Sequence, residues 1–346
     1  RELWRARSSA TDLPGVARSA VVTADGDTVT GRDLNTGKQI WRYSRDLPLC
    51  AAVVAWPGGE NDVLTAYRNS RGCGEIMALD ADTGLRKAAR TNDADGDVRL
   101  TYDANWALST GSTRLETWGA NLVRGVEYGR VDAPVNPDVQ PGRSDCRIYS
   151  AISGSDRVAI VERCARDAGY RLTVISSSQT SDEKVKQWGS QIITENGQGP
   201  APRVIATSDS VVTVYDNGAI RTFSPEISQL TSQTVSGDPE APPASQPANS
   251  QFFVTFWTGQ ATVVIDATTG RPVFQVPDAI GAGAVMMGQL ILPVPSGISV
   301  RDPSTGREVR HIAFDRGPNV RGPVSLSMLG NRFIEQRGDE VVVLGA

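Results

Sequence analysis

Short runs of alternating apolar and polar residues, separated by turn-forming residues, recur along the whole chain. Residues 210–215 read SVVTVY, and after the turn Asp216-Asn217-Gly218 residues 219–223 read AIRTF. Such runs are typical of β-strands joined by tight turns. No segment keeps a helical apolar period over about 11 residues, the shortest window in which that pattern is informative. The pattern therefore predicts an all-β protein.

A five-residue motif, Asp-x-x-Thr-Gly, follows a strand-like run four times. Its copies are Asp33–Gly37, Asp80–Gly84, Asp266–Gly270 and Asp302–Gly306. An Asp side chain can accept hydrogen bonds from backbone amides two residues later, and Gly takes the positive φ that ends such a turn. A strand with an aromatic or apolar residue follows, as at Trp41. The motif predicts a repeated hairpin between two strands of one structural unit.

The two ends of the chain each hold an incomplete unit. Residues 340–344 form a predicted strand with no partner after it, and residues 3–5 look like the Trp-bearing last strand of a unit. Pairing these ends would close a ring of four-stranded blades and remove exposed sheet edges. We expect a single β-propeller domain over 1–346, in which strand 2–7 completes the last blade with 323–346. Eight blades of about 43 residues are favoured; seven is the alternative, because the inner strands of the first and sixth units are hard to recognise.

The four cysteines fall into two local pairs, Cys50 with Cys73 and Cys146 with Cys164. Neither pair has the spacing of a zinc motif, and a single histidine, His311, leaves too few ligands for such a site. We expect two disulfides and hence an oxidising, extracytoplasmic compartment. Four buried free thiols in a cytosolic protein are the alternative.

Composition narrows the functions further. The formal net charge of −4 gives no global attraction to nucleic acid. No apolar run approaches the roughly 18 residues of a membrane-spanning helix, and the first residues do not resemble a signal peptide. We therefore expect no nucleic-acid partner, and any membrane anchor would lie outside the given chain.

The order of strand, Asp-x-x-Thr-Gly motif and Trp-bearing strand resembles the pyrroloquinoline-quinone-like β-propeller superfamily, which includes quinoprotein dehydrogenases and the outer-membrane assembly lipoprotein BamB. More narrowly, the chain resembles the periplasmic domains of the mycobacterial polar growth factor A family. That resemblance implies a periplasmic, membrane-anchored, lipid-binding propeller that handles trehalose monomycolate. It also implies a partner, an RND-type mycolate transporter or another inner-membrane protein, and a role in polar cell-wall growth.

Catalysis is not expected. Quinoprotein enzymes use calcium and, in many members, adjacent cysteines, but this sequence has no Cys-Cys dipeptide. Residues 92–97 (NDADGD) come nearest to a calcium loop and lack its closing Glu, so we interpret them as a turn. His311 lies in a predicted outer strand and has no evident nucleophile beside it. We predict a non-enzymatic protein without cofactor or metal.

Binding residues are sought in the loops that share one face of the propeller. If the motif joins the third and fourth strands, the second-to-third turns and the inter-blade loops lie on the opposite face. Cys146 would then begin an inner strand at that face and Cys164 would end its antiparallel neighbour, with Cys50 and Cys73 at equivalent points. The long loops there are residues 133–145, 194–203 and 237–250. Apolar side chains beside hydrogen-bonding ones would suit a glycolipid; the candidates are Phe256, Trp257, Tyr215, Asp216, Arg68 and Arg71. The alternative function is a protein-interaction scaffold with no small ligand.

Overall fold

The computed structural model describes residues 1–131, 142–179, 184–237, 246–317, 320 and 322–345. Within these residues the chain forms 32 β-strands and no helix. The strands make eight antiparallel sheets of four strands each. These sheets are the blades of a β-propeller, which confirms the predicted fold class. The blade number is eight and not seven.

The first four blades follow the chain in order. Blade 1 comprises β2 (Gly15–Val16), β3 (Ala20–Asp25), β4 (Thr28–Asp33) and β5 (Gln39–Ser44). Blade 2 comprises β6 (Leu49–Ala55), β7 (Asp62–Asn69), β8 (Gly72–Asp80) and β9 (Arg86–Thr91). Blade 3 comprises β10 (Arg99–Tyr102), β11 (Ala107–Thr110), β12 (Arg114–Trp118) and β13 (Arg124–Gly129). Blade 4 comprises β14 (Cys146–Gly154), β15 (Arg157–Cys164), β16 (Arg171–Ser176) and β17 (Gln187–Ile192).

The remaining four blades include the one that closes the ring. Blade 5 comprises β18 (Arg203–Thr207), β19 (Val212–Asp216), β20 (Ala219–Phe223) and β21 (Gln229–Thr234). Blade 6 comprises β22 (Ala248–Asn249), β23 (Phe253–Trp257), β24 (Thr262–Asp266) and β25 (Pro272–Val276). Blade 7 comprises β26 (Ala284–Met286), β27 (Gln289–Val294), β28 (Gly297–Arg301) and β29 (Glu308–Ala313). Blade 8 comprises β30 (Val324–Leu329), β31 (Arg332–Arg337), β32 (Glu340–Gly345) and β1 (Glu2–Arg7).

The first strand of each blade is the inner strand and surrounds a central channel, since inner strands contact one another, as β14 contacts β18 and β26 contacts β30. The first-to-second and third-to-fourth turns lie at one end of the channel, here the motif face. The second-to-third turns and the inter-blade loops lie at the other end, here the loop face. Apolar side chains of facing sheets pack between blades; one such cluster joins Val22 and Val29 of blade 1 to Val63 and Leu79 of blade 2.

The repeated motif forms the predicted turn between the third and fourth strands. In its first copy Asp33 Oδ1 accepts hydrogen bonds from the amide of Thr36 at 2.8 Å and from the Thr36 hydroxyl at 2.7 Å. Gly37 has a φ of 68°, and its amide donates to the Asp33 carbonyl at 2.9 Å. In each of the other three copies, the Asp Oδ1 accepts hydrogen bonds from the backbone amides of the second and third residues after it.

The ring closes as predicted from the ends of the chain. Strand β1 pairs antiparallel with β32 in the register Trp4 to Val343 and Arg7 to Glu340. The Trp4 indole nitrogen donates to the Leu34 carbonyl of blade 1 at 2.9 Å. The N-terminal strand therefore belongs to blade 8 and contacts blade 1, so it joins the last blade to the first.

Both predicted disulfides are confirmed, Cys50–Cys73 and Cys146–Cys164. Cys146 begins the inner strand β14 and lies opposite Cys164, the last residue of β15, as expected. The expectation that Cys50 and Cys73 occupy equivalent positions is wrong, because Cys73 lies in the third strand, β8, and not in the second. This disulfide therefore joins the inner strand to the third strand at the loop face.

Removing the second disulfide should destabilise the protein measurably. We expect Cys146→Ala/Cys164→Ala to lower the free energy of unfolding by about 3 kcal/mol, because the unfolded chain gains the freedom of a short loop. Urea unfolding with and without reductant measures this. The reductant should lower the free energy of unfolding of the variant less than that of the parent, because the variant has one disulfide to lose and the parent has two. Equal stability of oxidised parent and variant would contradict the prediction.

Candidate functional site in the central channel

The six sequence-predicted ligand residues all lie at or just before second-to-third turns on the loop face. Phe256 and Trp257 end β23, and their side chains are buried. Tyr215, near the end of β19, is also buried, and its ring lies 5.4 Å from that of Phe256. The Trp257 indole nitrogen donates to the Ala279 carbonyl at 2.9 Å, across the gap between blades 6 and 7. These three aromatic side chains pack between blades.

The three polar candidates are more accessible but do not converge. Asp216 forms an ion pair with Arg221 at 2.5 Å. Arg68 and Arg71 are exposed in blade 2, three blades away along the ring from Asp216 in blade 5. None of the six candidates lines either of the two channel cavities described below. Their role in ligand binding remains a prediction.

Where the structure describes the three long loops, they are inter-blade connections at the loop face, as predicted. Residues 194–203 are described throughout and connect blade 4 to blade 5. Residues 133–141 of the first loop and 238–245 of the third lie outside the described residues.

A cavity of about 760 Å³ opens at the motif end of the central channel, here the neutral cavity. Most residues of its wall are small or carry a hydroxyl group, among them Ser155, Ser208, Ala284 and Ser327. Among the described residues that line it, the only charged side chains are Asp103 and Asp266. Both carboxylates already hold their own turns, because each Oδ1 accepts two backbone amides at 2.7 to 3.0 Å. Apart from these two turn aspartates, the described wall carries no charged side chain.

An aromatic pair forms one side of the neutral cavity. The Trp56 and Tyr102 rings meet edge to face with centroids 6.1 Å apart. The Trp56 indole nitrogen donates to the Asp103 carbonyl at 2.7 Å. The backbone of Trp56 is strained, with a φ of 49°, and this hydrogen bond helps to hold the residue in place. The Tyr102 hydroxyl makes no hydrogen bond with any described residue. Burial raises the pKa of Tyr102, so the hydroxyl stays protonated and can donate to a ligand.

A second cavity of about 720 Å³ occupies the loop end of the channel, here the charged cavity. Its wall contains Arg99, Arg147 and Arg203 together with three aspartates, Asp12, Asp95 and Asp97. Gln246 and Pro247 line both cavities, so the two meet at the residues just before β22. The channel thus presents two chemically different ends.

The calcium-like segment 92–97 is held by side chains and backbone of the protein. Arg130 pairs with Asp93 at 2.6 Å and with Asp95 at 3.4 Å. Asp95 also accepts from the amides of Thr113 and Arg114. These contacts fit the interpretation of the segment as a structural turn between blades. His311 lies in the outermost strand β29, where its Nε2 is 3.2 Å from the Ser296 hydroxyl.

Comparison with solved structures finds proteins of similar fold. The chain is similar in fold to BamB. The crystal structure of BamB from Moraxella catarrhalis superposes with a TM-score of 0.59 at 12% identity, covering 99% of this chain and 98% of that one. Sqt1 from Saccharomyces cerevisiae gives 0.63 at 10% identity, with 99% and 97% covered. No protein-family model matches the sequence, and no curated protein matches it.

At such identities the likeness concerns the fold alone. It agrees with the predicted propeller fold, whereas the resemblances to the pyrroloquinoline-quinone-like superfamily and to polar growth factor A stay predictions. Function has to be argued from the residues of the channel. No helix long and apolar enough to cross a bilayer occurs among the residues that the structure describes.

Proposed function

We propose that this protein is a non-enzymatic, extracytoplasmic binding propeller that holds the sugar end of a cell-envelope glycolipid in the neutral cavity. The observation that carries the proposal is a wall with no charged side chain beyond the turn residues Asp103 and Asp266, in which Tyr102 and Ser327 offer hydroxyls beside the apolar Leu326 and Val254. A sugar needs neutral donors and acceptors, and an attached acyl chain needs apolar contact. A volume of about 760 Å³ lies within the range of small-molecule sites.

The compartment follows from the two disulfides, which are typical of proteins in oxidising environments outside the cytoplasm. The finer assignment rests on the resemblance to the polar growth factor A family. Under it the ligand is similar to trehalose monomycolate, the partner is an RND-type mycolate transporter or another inner-membrane protein, and the process is mycolate transport and polar cell-wall growth. A membrane anchor outside the given chain would keep the propeller beside that partner.

Native mass spectrometry after incubation with an envelope lipid extract tests the proposal. We expect a discrete adduct of glycolipid mass on the parent chain and its loss in Ser327→Trp, because the indole fills the cavity. Ser232→Trp, an equally large change at an exposed position of β21, should keep the adduct. Tyr102→Phe, which removes one hydroxyl without adding volume, should weaken it. An adduct that survives in Ser327→Trp, or none on the parent, would contradict the proposal.

A protein-interaction scaffold is the second candidate function, and exposed apolar side chains on the outermost strands favour it. Ile40, Val273 and Val309 occupy the same position of the repeat and are 53, 47 and 47% exposed. Exposed apolar positions on strands that pair along only one edge can serve as contact points for a protein partner. Loss of partner cross-linking in Ile40→Asp/Val273→Asp/Val309→Asp, with no lipid adduct on any variant, would favour this function over the first.

A further inference from the structure

Three arginines converge at the loop end of the central channel. Arg99 is the first residue of inner strand β10, Arg203 the first of β18, and Arg147 the second of β14. These strands belong to three consecutive blades, 3, 4 and 5, and all three arginines line the charged cavity. The other five inner strands carry no basic residue at their first two positions. The repeat therefore does not require these arginines, and they form a local arc.

The arginines differ in how their charge is already balanced. Arg99 pairs with Asp12 at 3.0 Å, but the two side chains are 37 and 56% exposed, so solvent weakens the pair. With its amide oxygen turned toward Arg99, Gln246 accepts from Nε and Nη1 at 3.0 and 3.1 Å. Arg203 lies close enough to Arg99 for the two positive charges to repel each other. Burial and then that like charge lower the pKa of Arg203 to about 10, so it remains protonated at neutral pH.

Arg147 is the most available of the three. Its guanidinium lies over the exposed ring of Tyr149, 5.4 Å from the centroid. It makes no hydrogen bond or ion pair with any residue that the structure describes. A guanidinium that stacks on an aromatic ring keeps its fork of N–H donors free for an oxyanion.

The acidic residues of the same wall do not cancel this charge completely. Asp95 is held by the backbone amides of Thr113 and Arg114 and by Arg130, outside the arginine arc. Asp12 faces Arg99, which leaves the exposed Asp97 as the remaining carboxylate. Both of these carboxylates are open to solvent, and neither forms an ion pair with Arg147, so the acidic residues that the structure describes leave the Arg147 guanidinium open to an anion.

We propose that the charged cavity is a binding site for a phosphate group, contacted by Arg147 and Arg99 and attracted by the charge of Arg203. The phosphate is either free or carried by a lipid headgroup, since both present the same oxyanion to a guanidinium. The site goes beyond the proposed function, because a sugar in the neutral cavity needs no charge at the other end of the channel.

Isothermal titration with inorganic phosphate at low ionic strength tests the site on the whole chain. We expect Arg147→Gln to raise the dissociation constant about tenfold or more, and Arg147→Gln/Arg99→Gln to remove binding. Arg166→Gln is the matched control, an exposed arginine in the second-to-third turn of blade 4 on the same face that does not line the cavity, and its affinity should equal that of the parent. Near-ultraviolet circular dichroism checks that each variant is folded.

Two further measurements identify the source of the phosphate and separate this site from the first. Sedimentation with phosphatidic acid vesicles, against phosphatidylcholine vesicles, would show Arg147-dependent binding for a lipid headgroup and none for a free phosphate. Ser327→Trp should leave phosphate binding unchanged, so either proposal can fail without the other. No phosphate binding by the parent, an equal loss in Arg166→Gln, or Arg147-dependent binding of an acidic peptide alone would overturn the inference.

Discussion

Replacing Arg316 with methionine is expected to lower the free energy of unfolding by about 3–5 kcal/mol, the usual cost of breaking a buried ion pair from one side. Arg316 and Glu335 have side chains that are 2 and 0% exposed, with Nη2 and Oε1 only 2.6 Å apart. The guanidinium also donates to the carbonyls of Val294 and Gly297, at the second-to-third turn of blade 7. Methionine would leave both carbonyls without this donor, and Arg337 at 2.7 Å would be the one remaining ion-pair partner of Glu335 among the described residues, at the contact between blades 7 and 8.

Urea unfolding followed by tryptophan fluorescence measures this loss. Arg310→Met is the matched control, because Arg310 is exposed on β29, and it should change stability by less than about 0.5 kcal/mol. Adding Glu335→Leu and Arg337→Leu to Arg316→Met should recover part of the loss, since the buried carboxylate and its second partner are then both absent. A triple variant no more stable than Arg316→Met would show that desolvation of Glu335 is not the cause.

The repeat pattern was enough to predict the blades, and the structure shows why the blade number stayed open. The inner strands β2 and β22 contain two residues each, too few to display an alternating pattern. The closing strand was predictable because Trp4 occupies the repeat position of Trp41, and both indoles donate to the carbonyl after a motif Asp. Residues that stabilise the scaffold recur from blade to blade, and this recurrence makes them recognisable in the sequence.

The channel residues could not be predicted in the same way. Tyr102 ends one inner strand and Trp56 directly follows another, positions that the repeat leaves free to vary. The two come together because the inner strands of blades 2 and 3 contact each other along the channel. The aromatic candidates Phe256 and Trp257 were chosen because they precede a turn, but alternation within β23 and the Ala279 contact place them between blades. The turn-forming residues predict where a turn lies, but they do not predict which side chains point into the channel.

The contact that repeats between blades carries the second large prediction. The Trp41 ring of blade 1 covers Gly84 of the blade 2 motif, and its indole nitrogen donates to the Ala81 carbonyl at 3.2 Å. Trp4 covers Gly37 and Phe274 covers Gly306 in the same way. We expect Trp41→Ala to lower the free energy of unfolding by about 3–5 kcal/mol, because a large buried side chain leaves a cavity between two blades. Leu85→Ala, in the same turn but 69% exposed, should cost less than about 0.5 kcal/mol in urea unfolding.

The glycine side of this contact gives the sharper comparison. A Cβ atom at Gly84 would lie 2.5 Å from the Trp41 ring, whereas one at Gly26 would meet nothing within 4 Å, and both glycines have positive φ, 72° and 62°. Gly26→Ala therefore measures the backbone cost alone, and Gly84→Ala adds the displacement of the indole. We expect Gly84→Ala to be the more destabilising by about 1–3 kcal/mol, as for other overpacked sites. Equal losses would mean that Trp41 moves without cost, and the aromatic–glycine contact would then not be what holds neighbouring blades together.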